Sequence, residues 1–167
     1  MFGLLRVTRA AVPGMRRRGA GRVVNISWVV GRTTFPGFGV YGASKHAVEA
    51  LSDALRAELR PFGVDVVLIE PGFVRSEINS TGAASSDAVG GAYRHFTEAI
   101  RRYAVDQFEG GADPRELAEL LVDVVESRRP RTRYLFPTSS RLLVGTFAGV
   151  PDRLADALKL RAAGVRR

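Results

Sequence analysis

Apolar positions change their period several times along this chain, and each change predicts an element. Over residues 2–18, Phe2, Leu5, Val12 and Met15 mark one side of an arginine-rich stretch, the stripe of an amphipathic helix. Gly19-Ala20-Gly21 interrupts it, and Arg22–Ser27 is a short β-branched run that reads as a strand. Residues 31–39 hold three glycines and Pro36 and read as loop. From Tyr41 to about Arg60, Ala47, Val48, Leu51, Leu55 and Leu59 recur at helical spacing until Pro61 and Gly63 stop the helix. Val64–Glu70 is nearly continuous in apolar residues, the pattern of a parallel strand covered on both faces, and Pro71-Gly72 ends it.

Residues 77–112 are rich in Gly, Ala and Ser and predict a mobile loop region with one short helix near Tyr93–Tyr103. Asp113-Pro114-Arg115-Glu116 has the form of a capping box with proline at the first helical position, opening a helix to about Ser127. Arg133–Phe136 reads as a last short strand and Leu154–Leu160 as a terminal helix. Strands alternating with helices of this length predict an α/β fold with a parallel, doubly wound sheet, in a single domain over residues 1–167. Three strands make that sheet thin.

Composition changes this picture little. A chain of 167 residues buries roughly two-thirds of its unfolded surface. The absence of cysteine excludes disulfides, thiolate nucleophiles and thiolate metal sites. No apolar run reaches the ~20 residues that span a bilayer, so the expectation is no membrane partner and a soluble, cytoplasmic protein. The net charge of +8 is carried almost wholly by arginine; of 25 basic residues only Lys45 and Lys159 are lysine. Acidic residues are interspersed after position 49 and no platform of aromatic and basic residues is present, so no nucleic-acid partner is expected. The dense cluster Arg16-Arg17-Arg18 with Arg22 reads as a solvated turn or, alternatively, as an anion-binding patch. Residues 1–22, with six arginines and no acid, superficially resemble an organelle transit peptide; the amphipathic helix is the favoured reading.

The chemistry-bearing pair is Tyr41 and Lys45. Four residues apart at the start of a helix, they share a face one turn apart. A phenol with an ordinary pKa near 10 is a poor proton-transfer group at neutral pH, and a nearby ammonium favours its ionised form. A fall of about three units requires roughly 4 kcal/mol of differential interaction. A chain that uses arginine almost everywhere keeps lysine at this position, where a compact ammonium differs from a planar guanidinium.

Tyr41-Gly42-Ala43-Ser44-Lys45, the upstream strand Gly21-Arg22-Val23-Val24-Asn25-Ile26-Ser27 and the downstream turn Pro71-Gly72-Phe73-Val74-Arg75-Ser76 together resemble the catalytic half of the short-chain dehydrogenase/reductase family. The resemblance is close over residues 1–76 and looser over 77–127. It implies a partial Rossmann-like sheet with flanking helices, lacking the first cofactor-binding half. It implies NAD or NADP as cofactor and a small-molecule alcohol or carbonyl substrate. Tyr41 would exchange a proton with the substrate oxygen, Lys45 would bind the nicotinamide ribose, and Pro71, Gly72, Val74 and Ser76 would contact the nicotinamide.

Three departures qualify that resemblance. The family serine that holds the substrate oxygen falls at Trp28, in the substrate-binding position, and Ser27 beside it points to the opposite face of a strand. Loss of one such hydrogen bond costs roughly 10²–10³ in rate. The Gly-rich phosphate turn is absent from the sequence, and the asparagine of the family's proton relay would precede Met1, which predicts a truncated or displaced start. Two functions follow as expectations: an oxidoreductase impaired or inactive in this form, or a non-catalytic interaction module built on the family's dimer-forming helices, here 2–18 and 41–60. Either would be a homo-oligomer, since the strand Arg22–Ser27 would leave an open apolar edge.

Overall fold

The structure is a computed structural model, and it describes residues 1–76, 91–147 and 149–165. Helix α1 (Phe2–Arg18) leads into β1 (Gly21–Ile26), α2 (Gly39–Leu59), β2 (Val64–Pro71), α3 (Arg94–Glu109), α4 (Pro114–Glu126), β3 (Arg133–Phe136), α5 (Ser140–Phe147) and α6 (Asp152–Ala162). Among the described residues the three strands form one parallel sheet in the order β1-β2-β3, with Val23 opposite Val66 and Ile69 opposite Tyr134. The α/β class, the parallel sheet and the flanking helices agree with the sequence expectation.

The period of two along β2 sorts the core into two layers. Val64 and Val66 pack with Leu59, Val12 and Met15, which places α1 and α2 over one face. Val67 and Ile69 pack with Val124, Leu117, Leu120 and Leu121 of α4 on the other. Because β2 is covered on both faces, its side chains are buried at every position except Asp65. Gly63, at φ 69°, makes the left-handed turn between α2 and β2, where an added Cβ would strike the Gly19 carbonyl.

Differences from the sequence reading lie in the second half. The short helix placed near Tyr93–Tyr103 runs as α3 from Arg94 to Glu109, so much of the segment read as mobile loop is helix; residues 77–90 lie outside the described part. Helix α5 adds to the sequence expectation; its eight residues mix apolar with small residues and are too few to show a helical period. Asp113 caps α4 as expected, accepting a hydrogen bond from the Arg115 amide at 2.8 Å. The arginine cluster divides by role. Arg22 donates to the Val124 and Val125 carbonyls at 2.8 and 2.7 Å, closing the end of α4, and pairs with Asp65 at 2.9 Å. Arg16 lies 4.0 Å over the Phe62 ring. No helix among the described residues is long and apolar enough to cross a membrane.

Candidate functional site

The site forms where β1 and β2 end and α2 begins. Tyr41, in the first turn of α2, is 43% exposed. Lys45, one turn on, is half-buried and donates from Nζ to the carbonyl of Ile26, the last residue of β1, at 3.3 Å. The ammonium lies 5.5 Å from the centroid of the Tyr41 ring. Sequence spacing put these two residues on one face, and the structure brings them together at the carboxyl end of the sheet, where open α/β sheets bind their ligands.

The electrostatics differ from the expectation. Burial pushes the Tyr41 phenol above its ordinary value. Burial also lowers the Lys45 ammonium, against a smaller opposite effect of the Glu49 carboxylate. The ammonium is near the ring but engaged with backbone, so the depressed tyrosine expected from the pair is absent from this arrangement.

Trp28 occupies the place where the resemblance put a serine. It is 5% exposed and surrounded by rings: Tyr41 at 5.2 Å, Phe38 at 5.4 Å, Phe73 at 5.6 Å and Phe108 at 6.2 Å between centroids. Its Nε1 donates to the Gly72 carbonyl at 2.9 Å, tying the Pro71-Gly72 turn to the loop after β1. That donor is therefore spent on backbone. Ser27 turns the other way, as strand alternation requires: its Oγ is buried beside Gly31 and α2, without a hydrogen-bond partner.

Beyond the turn, Ala112 donates its amide to the Phe73 carbonyl, and its own carbonyl accepts from Arg75, both at 3.0 Å. Val74 sits between these two bonds in a parallel bridge with Ala112, so its own amide and carbonyl point the opposite way. They take no hydrogen bond among the described residues. Ser76 is exposed. An ammonium with donors to spare, and a backbone amide and carbonyl free at the adjoining turn, fit the ribose and carboxamide of a nicotinamide nucleotide.

One part of the site was missed. Glu70, the residue before Pro71-Gly72, is completely buried on the α2 face of the sheet. Its carboxylate lies 3.1 Å from Arg133 Nε and 3.6 Å from Arg32 Nη1, ion-pair distances without hydrogen-bond geometry to either oxygen. Burial, then the charge of Glu49, raises its carboxyl above the usual range, and the two arginines oppose that rise. Arg133 also reaches Glu49 at 3.3 Å and both oxygens of Asp53 at 2.6 and 2.7 Å. The available signal was a lone glutamate closing an otherwise apolar strand; a buried carboxylate requires a buried cation nearby.

The family model described as short chain dehydrogenase matches residues 1–86. The chain belongs to the short-chain dehydrogenase family. It is 32% identical over 157 residues to the probable short-chain type dehydrogenase/reductase VdlC of Helicobacter pylori, covering 94% of this chain and 58% of that protein. It is 38% identical over 124 residues to the uncharacterized oxidoreductase YusZ of Bacillus subtilis, covering 72% of this chain and 44% of that protein. The crystal structure of a short-chain dehydrogenase from Streptomyces avermitilis superposes with a TM-score of 0.73 at 27% identity, over 98% of this chain and 59% of that one. A short-chain dehydrogenase/reductase from Burkholderia phymatum, solved in complex with NAD, gives a TM-score of 0.71 at 26% identity, over 87% of this chain and 53% of that one. The chain thus spans about half the length of the relatives it matches.

Proposed function

We propose that this chain supplies the proton-transfer part of a short-chain dehydrogenase site acting on an alcohol or carbonyl substrate with NAD or NADP. The observation that carries the reading is Lys45, anchored to the end of β1 by the Ile26 carbonyl one helical turn from the exposed Tyr41. When bound, the nicotinamide supplies the hydride chemistry. The protein's residues bind, orient and move a proton. Lys45 holds the ribose hydroxyls, and Val74, with Pro71, Gly72 and Ser76, orients the carboxamide. Tyr41 exchanges its phenolic proton with the substrate oxygen. Because burial raises the Tyr41 phenol here, proton transfer at neutral pH requires the ammonium to act on the hydroxyl from closer range than it does on the ring.

Trp28 limits the rate. Its indole fills the serine's position while donating to Gly72, so no hydroxyl at that position receives the substrate oxygen. The NAD-bound relative from Burkholderia phymatum supports a nicotinamide cofactor, and nothing in this chain chooses between NAD and NADP. A test is turnover of a panel of alcohols and ketones with each cofactor: the reading expects slow turnover, abolished by Tyr41→Phe. Full activity in Tyr41→Phe would reject it.

A second reading is favoured by the same indole: a site filled by aromatic rings suits an interaction module derived from such an enzyme. Phe2 and Val7, each 69% exposed on α1, and the edge of β1, unpaired among the described residues, support self-association. Binding of the chain to itself with no cofactor response from Lys45 would favour that reading.

A further inference from the structure

Lys45 and Glu49 stand four residues apart on α2, the spacing at which opposite charges on a helix pair with each other. They do not pair here. Lys45 Nζ turns to the Ile26 carbonyl, while Glu49 Oε2 lies 3.3 Å from Arg133 Nε. The Glu49 side chain is 10% exposed, and its other oxygen is buried with no hydrogen-bond partner. Water therefore does little to hold it away from the lysine; Arg133 does.

The guanidinium is well fixed for that task. It comes from β3, where Arg133 stands opposite Leu68 of β2. Nη2 is held by both oxygens of Asp53, one turn beyond Glu49 on α2, and Nε lies 3.1 Å from Glu70. A planar fork can engage three carboxylates from α2 and β2 at once; a single ammonium cannot. The charges facing this region are Glu49, Asp53, Arg56 and Lys45 from α2, Glu70 from β2, Arg32 from the loop after β1 and Arg133 from β3. Without Arg133, three acids would face two arginines, and Lys45, one turn away on the same helix and already felt by the Glu49 charge, would be open to Glu49.

We propose that Arg133 is a positioning residue for Lys45: by drawing Glu49 to β3 it keeps the ammonium directed at the end of β1 and the Tyr41 side of the site. Glu49 is the competitor that the arrangement restrains. The proposal rests on reading Lys45 as the functional lysine, but the restraint itself is a property of the free protein. It makes the family pair dependent on a residue of the third strand whose side-chain partners here are the carboxylates of Glu49, Asp53 and Glu70.

The chain has only two lysines, so its lysine side chains can be followed individually by NMR after ¹³C labelling, with Lys159→Arg assigning the pair. The expected result is that Arg133→Gln moves the Lys45 titration midpoint upward by about one pH unit, as Glu49 swings to it. Arg133→Gln with Glu49→Gln should return the midpoint to the wild-type value or below. A merely structural role for Arg133 would not be reversed by neutralising Glu49. Should Arg133→Gln not fold, Arg133→Lys keeps a cation without the fork and should raise the midpoint part of the way. An unchanged Lys45 midpoint in either folded variant, or a double variant that stays raised, would overturn the proposal. Because no cofactor enters this titration, its outcome is separate from that of nicotinamide binding, which tests the functional reading.

Discussion

The indole of Trp28 meets the ring of Tyr41 edge-on, with centroids 5.2 Å apart and planes at 62°. The position where the resemblance put a substrate-holding serine thus carries a residue packed against Tyr41, the proposed proton-transfer group. The same indole donates to Gly72, so one side chain joins the β1 loop, the start of α2 and the turn after β2.

Replacing Trp28 should therefore cost stability before it changes chemistry. Trp28→Ser removes an indole that is 5% exposed and packed by four rings, and should destabilise the fold by about 3–5 kcal/mol. Trp28→Phe keeps much of the packing but leaves the Gly72 carbonyl without its donor, costing about 1–3 kcal/mol. Urea unfolding of the three proteins measures both. A serine variant as stable as wild type would mean that the indole is not structural.

Asp53 gives the chain an acid-sensitive contact. Burial pushes its carboxyl up, but the hydrogen bonds and charges of Arg133 and Arg56 outweigh that effect and hold it below the usual range. Its folded pKa lies below its unfolded one, so the stabilisation is present above the unfolded value, near 3.9 for a free aspartate, and is lost as pH falls through the folded value. The side chain is 44% exposed, so solvent screening limits the contribution to about 1 kcal/mol or less. Asp53→Asn should lower Tm at neutral pH by roughly 2–4 °C and narrow its gap from wild type under acid. Calorimetry across that pH range checks the sign; a gap that widens on acidification would contradict it.

We propose that the chain self-associates through the sheet edge that the described residues leave unpaired. With β1 at one edge, Ile26 is 42% exposed, and Phe2 and Val7 project from α1. Light scattering over a concentration series should show a homodimer or larger species. A monodisperse particle matching the 18.1 kDa chain at high concentration would show these surfaces to be satisfied within one copy.

The first half of the fold was legible because period and punctuation agree there. Pro61 and Gly63 bound α2, and the nearly continuous apolar run from Val64 through Ile69 suits a strand covered on both faces. Tyr41 and Lys45 were legible for a related reason: four-residue spacing on a helix fixes their proximity. It does not fix rotamers, and the ammonium chose the Ile26 carbonyl over the phenolic end of the ring. Arg133 and Glu70 were not legible as partners. Their meeting depends on β3 lying beside β2, a contact between residues far apart in the chain that no local pattern encodes.

The proposed function turns on Lys45 receiving the nicotinamide end of the cofactor beside Tyr41. Trp28 is the only tryptophan, and its contact with Tyr41 makes it a reporter inside the site. Titrating wild type, Tyr41→Phe and Lys45→Ala with NADH and with NADPH, while following quenching of tryptophan emission, measures that contact. Saturable quenching is expected in wild type, weak because no Gly-rich phosphate turn is present in the sequence, with similar affinity in Tyr41→Phe and a loss of about tenfold or more in Lys45→Ala, equivalent to one charge-assisted hydrogen bond of roughly 1.5–3 kcal/mol. Quenching of equal affinity in wild type and Lys45→Ala, or none in wild type at millimolar cofactor, would contradict it.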